Sequence, residues 1–147
     1  MSDGTIPIAF DRHARHRAGN ICEYCLLPQF MQEATFHIDH IRPRAAGGKT
    51  TLGNLALACV TCSLRKGARL TAYDAVTRRH IPLFNPRNEA WRDHFRWTPS
   101  WRVGGKTATG RATAAALGMN RPAVVAIRQE LARIGRFPPR LLRDQGD

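Results

Sequence analysis

Residues 22–67 read CEYCLLPQFMQEATFHIDHIRPRAAGGKTTLGNLALACVTCSLRKG, and the cysteine pairs near its two ends decide the fold. Cys22-Glu23-Tyr24-Cys25 and Cys59-Val60-Thr61-Cys62 each hold two residues between thiols. That spacing lets both sulfurs of a pair face one tetrahedral ion while the intervening amides turn toward them. Two such pairs complete a closed site with no vacancy for a reacting water, so they are expected to bind structural zinc. Redox pairs and free buried thiols are the competing readings. The chain has neither a signal-like apolar stretch in MSDGTIPIAFDRHARHR nor a window of about 18 apolar residues. A reducing cytoplasmic setting is therefore expected, and there four cysteines favour metal over disulfides. Such sites bind with about 10–16 kcal/mol, so stripping the zinc is expected to unfold the first half.

Zinc pins both ends of a short unit. Ala34 to Ile41 alternates in strand fashion, with Phe36, Ile38 and His40 on one side and His37 and Asp39 on the other. Arg42 to Thr51, holding Pro43 and the Gly47–Gly48 pair, reads as a loop. A second apolar run, Leu55 to Ala58, follows Asn54, and a short helix is expected from Leu64 to Ala68. Upstream, Asp11 to Ala18 reads as a helix with Asp11 as N-cap and Gly19 as its stop.

The run CEYC…FHIDHIRPRAAGG…GNLALACVTCSLRKG resembles the HNH endonucleases, in their four-cysteine zinc-binding branch, over about residues 12–68. IPLFNP…W-x-x-HFRW followed by T-x-x-GR-x-T is similar to bacterial HNH proteins with the same extended C-terminal half. The resemblance implies an α+β fold with a ββα-metal core, two antiparallel strands and a helix around a divalent ion. It implies that His40 is the general base, that Asp39 ligates the catalytic ion, and that Asn54 braces the loop that orients the base. An imidazole titrates near neutral pH and can deprotonate water; Mg2+ or Mn2+ would stabilise charge on the phosphate. Arg42 and Arg44 are candidates for holding flanking phosphates, as are Arg65 and Lys66. The pattern departs at Ser63, where the family carries asparagine or histidine as second protein ligand. His37, on the strand face of Asp39, and His94 are the candidate replacements. Were Asp39 to face the ion, His40 would fall on the opposite side unless the strand end twists.

Outward from this core, the formal charge of +12, mostly arginine, favours a polyanionic partner, DNA or alternatively RNA. Residues 1–72 are assigned to the nuclease core, 73–105 to an aromatic and arginine-rich arm, and 106–147 to a helical element. Ile81 to Trp101 is expected to wrap the core irregularly, its three tryptophans filling core rather than stacking on bases. Thr109–Leu117 and Pro122–Ile134 read as helices around a Gly118-Met119-Asn120 break. With arginines at 111, 121, 128 and 133 they form either a helical hairpin closing the fold, the preferred reading, or a DNA-reading element. The tail after Phe137 is expected to be loosely held. The leading function is a metal-dependent endonuclease hydrolysing DNA; the alternative is a zinc-stabilised nucleic-acid-binding module with weakened or lost cleavage. A structural zinc protein on a ribonucleoprotein would leave the Asp-His pair unexplained. The sequence leaves oligomeric state open.

Overall fold

The computed structural model describes residues 5–139, a mixture of five α-helices, three short 3-10 turns and three two-stranded antiparallel sheets. Helix α1 spans Ile8–Arg17. It begins at Pro7 rather than Asp11, because Pro7 has the extended ψ and fixed φ that start a helix. Asp11 sits inside the first turn and binds Arg15 one turn on, at 2.7 Å.

Strands β1, His37–His40, and β2, Leu55–Ala58, pair antiparallel with His37 opposite Ala58 and His40 opposite Leu55. The alternating stretch begun at Ala34 thus shortens to four residues. All four residues of β2 are buried, as an uninterrupted apolar run covered on both faces requires. Helices α1 and α2, Val60–Lys66, both pack on this pair. Helix α2 starts four residues earlier than its apolar pattern suggests. Cys59 is its N-cap, and the Sγ of Cys59 accepts from the amide of Cys62 at 3.4 Å. The second knuckle is therefore the first turn of the helix. Gly67 ends it with φ +53°, a conformation that costs glycine little.

The arm is more regular than expected. Strands β3, Thr71–Asp74, and β4, Arg79–Pro82, form a hairpin. Helix α3, Trp91–His94, leads into β5, Phe95–Trp97, which pairs with β6, Val103–Gly105. Both pairs are local hairpins whose strands of three or four residues are too short to show as periodicity in the sequence. Trp91 is buried, and Trp97 and Trp101 pack against the core, each stacking with its neighbour at 4.9 and 5.8 Å between rings. The tryptophans fill core.

Helices α4, Ala108–Ala116, and α5, Pro122–Arg133, lie where the sequence places them. Helix α4 packs mainly on β6, β3 and β4, rather than against α5 as a hairpin partner. Three of the four arginines that the sequence places on or beside these two helices are bound within the fold. Arg111 makes two bonds to the Asp74 carboxylate, at 3.0 and 3.1 Å. Arg121 binds the carbonyl of Gly118 at 2.7 Å, and Arg133 pairs with Glu130. Arg128 is fully buried. These helices close the fold and occupy Arg111, Arg121 and Arg128 within it, whereas Arg133 stays at the surface. The tail from residue 140 lies outside the described residues.

Candidate functional site

Two chemically distinct places follow from this architecture. In the first, Cys22, Cys25, Cys59 and Cys62 bring four buried sulfurs within 4.8 Å of one another. Cys25 and Cys59 sulfurs lie 3.7 Å apart, close to the roughly 3.8 Å edge of a tetrahedron with metal–sulfur bonds of about 2.3 Å. Amides of Cys25 and Cys62 point at the sulfurs of Cys22 and Cys59, at 3.5 and 3.4 Å. Burial pushes the Cys22 thiol well up, whereas hydrogen bonds from the neighbouring sulfurs pull Cys59 down. Four crowded thiols cannot all ionise without a cation among them. The donor set fits a metal ion.

The first knuckle is tied to the edge of β2. The Glu23 amide donates to Leu57 O at 2.8 Å, and the Glu23 carboxylate accepts from the Leu57 amide at 2.9 Å and pairs with Arg87. Beside it, Arg128 donates to the carbonyls of Cys25, Met119 and Trp101 at 3.2, 2.6 and 3.2 Å, and lies 5.2 Å over Trp97. Among the described residues it has no carboxylate partner. Burial pulls its pKa down and the sulfurs of Cys25 and Cys62 push it back up.

The second place is an open cleft of about 640 Å³ beside β1, walled by His37, Asp39, His40, Arg44 and Ser63, with Arg15 of α1 at its side. Asp39 and His40 both reach it, although neighbours on a strand point apart. Asp39 is only 8 % exposed. Its Oδ2 accepts from Tyr24 Oη at 2.9 Å and from Lys66 Nζ at 3.1 Å. Burial raises its pKa, against the opposing pull of Lys66 and Tyr24. Among the described residues both partners use Oδ2, so Oδ1 is the oxygen left for a ligand.

His40 Nε2 lies 2.8 Å from Thr50 Oγ1. Burial lowers its pKa, and the Arg44 guanidinium lowers it further, so the ring is neutral at pH 7. Asn54 holds the loop after β1: Oδ1 accepts from the Arg42 amide at 2.8 Å, while Nδ2 donates to the carbonyls of Arg42 and Lys49 at 3.1 and 2.9 Å. Gly48 completes this turn, since a Cβ there would stand 1.7 Å from Arg42 O. His37 Nδ1 and Ser63 Oγ sit 2.9 Å apart, joining β1 to α2.

Several sequence candidates lie elsewhere. Lys66 is 1 % exposed, so it cannot touch a phosphate. Its three donors are all used, on Asp39 and on the carbonyls of His40 and Ile41 at 3.0 and 2.9 Å. His94 does not line the cleft; it binds Glu89 at 3.2 Å and Thr107 at 2.7 Å and packs edge-on against Phe84. Arg42 is exposed outside the cleft lining, with Nε on Ala46 O. Arg65 is exposed on α2, beside Gly118. Tyr24, Thr50 and Arg15 are the cleft partners that sequence reasoning missed. For Tyr24 the signal was present, since a polar aromatic between two buried cysteines needs a hydrogen-bond acceptor.

Among the described residues, the cysteines are the one group of three or more His, Cys, Asp or Glu side chains with ligand atoms in mutual reach. An ion in the cleft would therefore take few protein ligands and complete its shell with water and phosphate oxygens, as magnesium does.

Residues 22–69 match the family model described as HNH endonuclease. The match encloses the four cysteines, both strands of the β1–β2 pair and helix α2. Comparison with curated proteins and with solved structures returned no match. No helix among the described residues is long and apolar enough to cross a membrane.

Proposed function

We propose that the protein is a metal-dependent endonuclease that hydrolyses DNA phosphodiester bonds in the β1 cleft, with zinc held by the four cysteines as a structural ion. The observation that carries this reading is the convergence of Asp39 and a neutral His40 on one open, arginine-flanked cleft inside the HNH domain. His40 takes the proton from the attacking water. In the tautomer whose Nε2–H donates to Thr50 Oγ1, Nδ1 is the basic nitrogen. Asn54 acts on the loop and not on substrate, fixing the carbonyl and amide of Arg42 and so the position of β1's end. Arg44 and Arg15 hold the phosphates on either side.

Asp39 Oδ1, with His37 or Ser63, would hold Mg2+ or Mn2+. Such an ion would supply charge neutralisation at the phosphate and at the departing 3′ oxygen. A nitrogen from His37 tilts preference toward manganese.

One observation favours the second reading, a binding module with little cleavage. Lys66 already neutralises Asp39 at 3.1 Å, so the carboxylate offers an ion less charge than an unpaired one would. Incubation with supercoiled plasmid decides between them. Nicking that needs added magnesium or manganese and disappears in His40→Ala is the expected result. A folded, zinc-loaded protein that retards plasmid without nicking it would establish the module instead.

A further inference from the structure

Between His40 and Arg87 the sequence carries one acidic residue, Asp74. That carboxylate is buried and held by Arg111 and Thr77, which keep it well below the usual carboxylate range. The surface of this segment is therefore cationic. On the β3–β4 hairpin, Tyr73 stands opposite His80, and the two rings meet edge-on at 5.8 Å. Tyr73 is nevertheless 52 % exposed. Exposed arginines lie near it along the chain: Arg69 two residues before β3 and Arg78 in the turn, while Arg79, opposite Asp74, is on the other face of the hairpin.

The hairpin is continuous with the cleft. Gly67 and Ala68 line the cleft wall, and Tyr73 follows five residues after Ala68. At about 3.3–3.6 Å per residue the two are no more than roughly 18 Å apart. A strand leaving the cleft along this wall passes Arg69 before it reaches Tyr73.

An aromatic ring needs no such setting merely to pair across a hairpin, where one face suffices. A half-exposed aromatic ring between the exposed Arg69 and Arg78, with the local acid sequestered, matches what unpaired nucleic acid requires: phosphate neutralisation plus a stacking platform. Duplex bases already have both faces occupied by neighbours. We propose that the β3–β4 hairpin is a second nucleic-acid contact that captures an unpaired base on Tyr73 and holds its phosphates with the flanking arginines. The proposal rests on the nucleic-acid reading of the cleft but not on cleavage.

The test measures binding of zinc-loaded protein, without added magnesium, to a labelled oligothymidylate of about 15 nucleotides and to the same strand in duplex. Tyr73→Ile keeps the strand preference and removes the π-face; Tyr73→Phe keeps both. Loss of one stacked base lowers single-strand affinity roughly 5- to 150-fold in Tyr73→Ile. Tyr73→Phe binds like the parent, and duplex affinity is unchanged. Arg78→Ala should lower the salt dependence of binding by about one phosphate contact. Unchanged single-strand affinity in Tyr73→Ile overturns the proposal, as does an equal loss on single strand and duplex. Thermal melting of each variant separates a weakened hairpin from a lost contact. Plasmid nicking is scored independently: selective single-strand loss in a protein that never nicks supports the platform and refutes the nuclease. Nicking with unchanged affinity in Tyr73→Ile does the reverse.

Discussion

Arg128→Met isolates the contact between helix α5 and the cysteine cluster. Four thiolates around one dication sum to a net charge of about −2, and a fully buried guanidinium without a carboxylate stands next to Cys25. Methionine keeps most of the volume and removes the charge and every donor. Three buried carbonyls lose their partner, at about 1–3 kcal/mol each if nothing replaces it. Breaking a buried charged contact typically costs about 3–5 kcal/mol in total. About 4 kcal/mol is therefore expected, or roughly 12–16 °C in Tm for a chain of this size. Part of that loss belongs to the carbonyls alone. The remainder belongs to the centre's charge and should appear as weaker zinc binding, at least about tenfold for each 1.4 kcal/mol. Arg128→Gln separates the two, since it retains donors without charge. Competition with a chromogenic chelator reads the zinc affinity directly, and melting with and without zinc reads the stability. If both variants hold zinc as tightly as the parent, Arg128 is only a clamp on carbonyls, and the countercharge argument is wrong.

Other expectations concern the cleft and the metal. His40→Ala should lower the nicking rate about 10²- to 10⁴-fold with the fold intact by circular dichroism. The pKa of His40 lies below its ordinary value of 6.5, so its base form persists as pH falls; the acid limb of the rate profile should lie below pH 6.5. Arg44→Ala removes a charge that disfavours imidazolium, and a limb that fails to move upward would sink that attribution. Lys66→Met strands the Asp39 carboxylate and two carbonyls, costing about 3–5 kcal/mol by denaturant titration. Chelating zinc from the reduced protein should abolish the cooperative melt, because about 10–16 kcal/mol of binding energy is withdrawn.

What the sequence reveals here is what local spacing encodes. The cysteine pairs, the Leu55–Ala58 strand and the C-terminal helix bounds follow from two-residue gaps, an unbroken apolar run and a proline after a glycine break. The β3–β4 and β5–β6 pairs escape notice because their strands are three or four residues long and β4 is largely exposed. Lys66 reads as a phosphate ligand and Arg128 as one arginine among several on the C-terminal helices, because their partners are mostly backbone carbonyls, which have no signature in sequence. His94 misleads for a related reason: Glu89 in the arm and Thr107 at the start of α4 claim both ring nitrogens. The cleft's residue types were legible; the side chains that hold them in place were not.

The contact between Arg128 and Cys25 joins residues 103 positions apart, which gives the chain a history as well as a shape. On a ribosome adding about 5–20 residues per second, the fourth cysteine is made roughly 3–13 s before Arg128. A nascent chain that takes up zinc at once carries its anionic centre open on one flank for that interval. Soft metals and oxidants have their best access to the thiolates then. Arrival of the last helix is the moment at which the centre is sealed.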